Sequence, residues 1–207
     1  MSVSYGVLST YPPTQCGLAT FSEALVSALA SPRDRVGVVR VVDAEEISRA
    51  GCRTGRGSRP DRVDGVWIRG TADGAARTAA ALSRFDVAVL QHEYGIFPGR
   101  DGDEVREVVR RLRVPLVTVL HTVLVSPSPH QREILSELVA SSSAVVTMTR
   151  TGRDRLVAHY GVDAGCVTVI PHGAGLVTDR PSRRRRRPDE SPTVLTWGLL
   201  GEGKGIE

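Results

Sequence analysis

No apolar run in the sequence approaches the roughly 20 residues that cross a bilayer, and the N-terminus lacks the basic-then-apolar pattern of an export signal. A soluble protein is therefore expected, with the cytoplasm as its default location. Cysteine is scarce: Cys16, Cys52 and Cys166 form an odd, widely spaced set with no C-x-x-C pair. That set argues against both a disulfide framework and a structural zinc site. Aromatic residues are only 4% of the chain, and none interrupts its one dense basic tract, Arg183–Arg187. Nucleic-acid binding through stacked bases has no material to work with there, so no nucleic-acid partner is expected. The tract supplies five positive charges of a chain whose net charge is +4, leaving the remainder at −1. It lies between Pro181 and Pro188 and reads first as a solvated linker.

What is present is the composition of an ordinary globular protein, 41% apolar and 24% charged, in a chain of 207 residues that can bury a real core. Short apolar runs alternate with amphipathic segments from Val3 to Gly173. Strands are expected at Tyr5–Ser9, Val36–Val42, Val66–Gly70, Val87–Gln91, Leu116–Leu120, Ala144–Met148 and Val167–Ile170. Helices are expected at Leu18–Ala30, Ala72–Ser83, Glu104–Leu112, His130–Ala140 and Thr151–Tyr160. Several strands are apolar throughout, as happens when helices cover both faces of a sheet. The fold class is therefore α/β, a Rossmann-like doubly wound parallel sheet. Residues Ala44 to Asp64, rich in Gly and Arg, read as a mobile surface loop. Residues 1–173 make the first domain, 174–192 a Pro/Arg-rich linker, and 193–207 the opening of a second domain.

Function in such a sheet gathers in the loops beyond the carboxyl ends of the strands. The first strand runs into Thr10-Tyr11-Pro12-Pro13-Thr14-Gln15-Cys16-Gly17, where a helix begins. Gly17 either serves turn geometry or lets a phosphate or sugar hydroxyl approach the free amides of the helix start. Cys16 reads as a small packed residue. The Val87–Gln91 strand ends in His92-Glu93-Tyr94-Gly95, which either caps its own loop or forms an edge for an acceptor. The following Pro98-Gly99-Arg100-Asp101-Gly102 is a flexible stretch placed to close over a substrate. The Leu116–Leu120 strand ends in His121-Thr122, a histidine able to bond a sugar hydroxyl, move a proton or satisfy a carbonyl. A zinc site built from His92, Glu93 and His121 has no spacing signal behind it, so no metal is assigned. His172, beside Gly173, shapes the exit into the linker.

The last residues contain Gly198-Leu199-Leu200-Gly201-Glu202-Gly203-Lys204-Gly205. The spacing of Gly198, Gly203 and Lys204 fits a phosphate-binding loop, but a P-loop needs Ser or Thr where Gly205 stands. An ATPase is excluded on that ground. Lys204 beside a helix start still suits a diphosphate as a point charge.

In this order the pieces resemble glycosyltransferases of the GT-B fold, in particular family 4, and the resemblance spans nearly the whole chain. It rests on the Gly17 loop, on Leu120-His121-Thr122, on Val169-Ile170-Pro171-His172-Gly173 and on the Gly198…Glu207 opening. The resemblance implies a nucleotide-sugar donor held in a cleft between two domains, with the acceptor mainly on the first. It also implies catalysis with no cofactor or bound metal and, usually, retention of anomeric configuration. His121 would then contact the transferred sugar near the reacting centre and carry the catalytic role. Gly17 would approach the donor phosphate or the acceptor, and Lys204 would neutralise the departing diphosphate. His92, Glu93 and Tyr94 remain candidates for the acceptor cleft.

Two departures limit that reading. The arginine that commonly precedes the family's lysine is missing from Leu199 to Gly203, and the paired-glutamate motif would fall beyond Glu207. The 207 residues are therefore expected to bind donor poorly and to be inactive without the rest of a second domain. Two other readings stay open: a non-catalytic glycan- or sugar-phosphate-binding module, and a nonfunctional truncated product. The acceptor is a glycan, a lipid or a small molecule, and Arg183–Arg187 is a candidate for peripheral contact with an anionic membrane.

Overall fold

The computed structural model describes residues 2–51, 63–173 and 195. Seven strands are present among them: β1 (Ser4–Ser9), β2 (Arg35–Val42), β3 (Val63–Ile68), β4 (Val87–His92), β5 (Leu116–Leu120), β6 (Ala144–Thr147) and β7 (Val167–Val169). Six helices alternate with them: α1 (Gly17–Leu29), α2 (Ala44–Gly51), α3 (Gly74–Leu82), α4 (Val105–Arg111), α5 (Pro129–Ser141) and α6 (Arg150–Tyr160). All pairings are parallel, in the order β3-β2-β1-β4-β5-β6-β7. This is the Rossmann-like α/β fold read from the alternating apolar runs.

Neighbouring residues on a strand point to opposite faces, and both faces here are covered. Leu8, Val39, Val41, Trp67 and Leu90 pack with Ala79 and Leu82 of α3, Val105 and Val108 of α4, and Ile134 and Leu138 of α5. Val7, Val38, Val89 and Val119 pack on the other face with Val26 of α1. A third cluster joins Leu120, Val145 and Val167 to Leu135 of α5 and Leu156 of α6. Parallel strands buried on both faces need apolar side chains in both directions, which is why β2 and β5 show little alternation.

One expectation is corrected. The stretch 44–64 is not all loop, because α2 occupies Ala44–Gly51 and β3 begins at Val63. Glu45 and Glu46 stand in the first turn of α2, where carboxylates complement the helix dipole. The arginines and glycines that suggested a loop fall mostly at 52–62, outside the described residues.

Capping explains where other helices start and stop. Ser128 and Gln131 form a reciprocal capping box at the head of α5, with Pro129 in its first turn. The α6 helix ends at Gly161, whose φ of 68° suits a residue without Cβ.

The chain divides into a compact unit, Met1–Pro171, and a second unit, His172–Glu207. The linker at 174–192, the segment 193–207 apart from Leu195, and Lys204 with them, lie outside the described residues.

Candidate functional site

After β1 the chain moves to β2 on one side, then crosses back to β4 on the other side of β1. The sheet order therefore reverses between β1 and β4, and ligands of open α/β sheets bind outside the carboxyl ends of strands at such a point. The loop Thr10–Cys16 and the loop beginning at Glu93 flank it here.

A cavity of about 170 Å³ opens at this place, lined by Thr10, Thr14, Cys16, Asp43, Glu46 and Arg69 together with Gly95 and Ile96. Its walls come from four successive strand ends. Arg40 of β2 supports it from beneath: Nε donates to the Tyr11 carbonyl at 2.9 Å and Nη2 to the Thr14 hydroxyl at 2.9 Å. Arg40 also pairs with Glu46 of α2, which accepts from Thr14 at 2.8 Å. Arg69 crosses the sheet to bond the Ile96 carbonyl at 3.1 Å and the Gly95 carbonyl, and its other nitrogen lies 3.5 Å from Asp43. Hydroxyls, carboxylates and a guanidinium held by fixed partners are the groups that recognise a polyhydroxylated molecule.

Gly17 is the first residue of α1, behind Cys16, whose sulfur accepts from the Ala19 amide at 3.3 Å. Gly17 has no left-handed backbone, and open space lies where a Cβ would be. Turn geometry therefore does not require glycine there; of the first-turn amides, those of Ala19 and Thr20 are taken by the Cys16 sulfur and carbonyl.

His121 stands at the end of β5. Its amide extends the ladder to the His92 carbonyl at 3.1 Å, and its Nε2 lies 2.8 Å from Oε1 of Gln91. Phe21 of α1 packs edge-on against the imidazole, with ring centroids 4.9 Å apart. A second cavity, about 100 Å³, is lined by His121, Leu120, Val123, Thr147, Thr149, Gly152 and Arg155. Thr149 caps α6 there by accepting from the Gly152 amide at 2.9 Å, and Arg155 donates to the Val123 carbonyl at 3.1 Å.

The three acceptor-cleft candidates behave differently from one another. Strand alternation sends His92 to the face opposite Gln91, where it is fully buried against Tyr94 and Phe97. Neither of its ring nitrogens has a partner. Burial, helped by nearby His121, pushes its pKa down to about 3, so the ring is neutral in the fold. Glu93 is half-buried with both oxygens engaged: Oε1 accepts from the Tyr94 amide at 3.0 Å and Oε2 from the Thr122 hydroxyl at 2.5 Å. The buried Tyr94 donates its hydroxyl to the Gln131 carbonyl at 3.3 Å, and burial, then the Tyr160 hydroxyl, raise its pKa. Thus Glu93 caps the loop, and His92 and Tyr94 lie behind the site wall in this arrangement.

The stretch after Tyr94 is also tied down. Asp101 accepts from Gln131 at 3.0 Å, and the Glu104 amide bonds the Pro98 carbonyl at 3.3 Å. Among the described residues no group of three His, Cys, Asp or Glu side chains is placed to hold a metal ion. No described helix is long and apolar enough to cross a membrane. Asp43, Glu46, Arg69 and Gln91 were not singled out from sequence. Asp43 directly follows the expected Val36–Val42 strand, and that position was the available signal; Arg69 fell inside the expected Val66–Gly70 strand, whereas β3 ends at Ile68.

The family model for glycosyltransferase family 4 matches residues 16–176. The chain belongs to glycosyltransferase family 4. Curated relatives with D-inositol 3-phosphate glycosyltransferase activity by name agree with this. The one from Rhodococcus jostii is 33% identical over 52% of this chain and 27% of its own length. The one from Paenarthrobacter aurescens is 36% identical over 44% of this chain and 27% of its own length. The chain thus spans about a quarter of the length of the family members it matches. In fold it is similar to UDP-N-acetylglucosamine 2-epimerase from Rickettsia bellii, with a TM-score of 0.52 over 80% of this chain and 43% of that one, at 12% identity.

Proposed function

We propose that this family 4 chain is the acceptor-side part of a glycosyltransferase that moves a sugar from a nucleotide-sugar donor to a hydroxyl of an acceptor. The observation that carries the reading is His121. It stands at the carboxyl edge of the sheet, held by Gln91 and Phe21, and faces a cavity completed by the start of α6. In this reading His121 meets the transferred sugar next to the reacting centre. Gly17, at the start of α1, approaches the donor phosphate or the acceptor. Lys204 neutralises the departing diphosphate, where negative charge develops in the transition state. No metal or cofactor takes part, and the sugar keeps its anomeric configuration.

The cavity lined by Thr10, Thr14, Asp43, Glu46 and Arg69 takes the acceptor, a polyhydroxylated small molecule or the sugar end of a glycan or lipid. Its fixed hydroxyls and charges match a ring of hydroxyl groups better than an apolar body. Inositol 3-phosphate, named for the curated relatives, is the first compound to try.

Two measurements test the reading. Fusing residues 1–173 to the nucleotide-binding half of a curated relative gives a complete enzyme, which is offered UDP- and GDP-sugars with a panel of polyols and inositol phosphates. Nucleoside diphosphate release that falls by about a hundredfold in His121→Ala, with the fold intact, is the expected result. Titrating the same acceptors into the 207-residue chain and following amide shifts of Thr10, Thr14 and Gly95 locates the acceptor without any catalysis. If no compound moves those amides and no donor is consumed, the transferase reading of this site fails.

A further inference from the structure

Gln91 is fully buried near the end of β4, on the face covered by α1. Its Oε1 lies 2.8 Å from Nε2 of His121, while its own Nε2 has no partner. An amide with one half unsatisfied destabilises a buried position, and an apolar side chain of similar volume would pack there without that penalty. Packing therefore does not account for glutamine at residue 91. What the amide supplies is a hydrogen-bond acceptor aimed at one nitrogen of one ring.

A neutral imidazole donates from one nitrogen and accepts at the other, and the group facing either nitrogen decides which is which. An acceptor at Nε2 places the proton there. Phe21, edge-on to the same ring with centroids 4.9 Å apart, opposes rotation about the side-chain torsions. The adjoining polar pair on this face, Ser9 and Ser22, is buried and bonded to itself at 2.7 Å, and Gln91 is the polar side chain of β4 that reaches the imidazole. A carboxylate at residue 91 would hold the ring equally well but would favour the imidazolium. An amide fixes the ring and adds no charge.

We propose that Gln91 is the positioning residue of His121, holding its imidazole in the Nε2–H tautomer and in a single orientation at the carboxyl edge of the sheet. The proposal rests on reading His121 as the group that meets the transferred sugar. Its consequence is that the ring carries an already assigned proton, with Nε2 the donating nitrogen and Nδ1 the accepting one.

The test uses the ¹⁵N-labelled 207-residue protein and long-range ¹H–¹⁵N spectra of its histidines, with His121→Gln assigning the signal. Nε2 protonated and Nδ1 unprotonated at neutral pH is the expected pattern. The opposite amide orientation would set NH2 against Nε2 and force the Nδ1–H tautomer, which overturns the proposal. In Gln91→Met the single tautomer should give way to a mixture. In Gln91→Glu the titration midpoint of His121 should rise by about one pH unit or more. An unchanged tautomer and midpoint in either folded variant also overturns it. Should neither variant fold, the wild-type tautomer alone decides. The spectra need neither donor nor acceptor, so failure of sugar transfer leaves this result standing, and a wrong tautomer leaves the transfer assay standing.

Discussion

Thr122 donates its hydroxyl to Oε2 of Glu93 at 2.5 Å, joining the loop after β5 to the loop after β4, while Oε1 of the same carboxylate takes the Tyr94 amide. One acidic side chain thus sets the relative position of the two strand ends that carry His92 and His121. Glu93→Ala leaves a hydroxyl and an amide without their acceptor and should destabilise the protein by about 1–2 kcal/mol. Thr122→Val should have a smaller effect, and the double variant should fall short of the sum by about 0.5–1 kcal/mol. Urea unfolding of the four proteins measures this. Strict additivity would mean that the two groups do not interact in solution.

His92 should govern stability in mild acid. Its folded pKa is about 3 against an ordinary value of 6.5, so between those values the unfolded chain binds a proton that the folded chain refuses. Stability contributed by the neutral ring is complete above about pH 6.5 and is lost as pH falls toward 3, at up to ~1.4 kcal/mol per pH unit. His92→Leu should flatten this limb by about one proton. A denaturation series from pH 7 to pH 4 reads the slope directly, and equal slopes for the two proteins would exclude the assignment.

Arg40 should matter to the fold more than an arginine on a strand normally does. Its side chain is 12% exposed and serves the Tyr11 carbonyl, Thr14 and Glu46 together. Arg40→Met removes all three contacts and should destabilise by about 3 kcal/mol. Adding Glu46→Gln, which discharges the stranded carboxylate, should restore about 1 kcal/mol. Thermal melts of the single and double variants decide, and no recovery would mean the carboxylate is already solvated.

Gly17 separates folding from ligand approach. Alanine fits its backbone and meets no atom within 4 Å, so Gly17→Ala should stabilise α1 by about 0.5–1 kcal/mol. Transfer by the fused enzyme should nevertheless fall, because the new methyl stands over the first amides of the helix. Melting temperature and turnover should therefore move in opposite directions; a variant as active as the parent would remove Gly17 from the site.

Gly102 presents the converse case. Its φ is 76°, and a Cβ would lie 2.5 Å from the Tyr94 carbonyl oxygen. Gly102→Ala combines backbone strain with a contact that only main-chain movement can relieve, and should lower stability by about 1–3 kcal/mol. Limited proteolysis around residues 98–104 should quicken with it. Unchanged cleavage would show that the stretch moves independently of Tyr94.

The apolar runs of β1, β4 and β5 are long enough to declare a sheet covered on both faces, and Glu93 and His121 are legible in the sequence as residues at strand ends. The α2 helix was hidden because it is only eight residues long and carries a single large apolar side chain, Ile47, beside a Gly/Arg-rich neighbour. Missing α2 meant missing Glu46, one of the three charged groups that line the cavity with Asp43 and Arg69. Gln91 looked like the last residue of a strand, since nothing in a linear sequence reveals that its amide reaches a ring 30 residues away. Glu93 was ambiguous for a related reason: whether a carboxylate faces a ligand or its own loop depends on where the Tyr94 amide and the Thr122 hydroxyl come to rest.

The first of these strands in the sequence lies inside the sheet, between β2 and β4. β1 must wait for β2 on one flank and for β4, more than eighty residues later, on the other, where Asp86 clasps the backbone amide and hydroxyl of Ser4 at 2.8 and 2.7 Å. Vectorial folding from the ribosome can therefore complete the β1–β2 pair early, but the site at the junction of β1 and β4 exists only once both halves have closed on the first strand. A deletion of the first ten residues would likewise do more than trim an end. It would remove the seam and leave two half-sheets, each with a newly exposed edge.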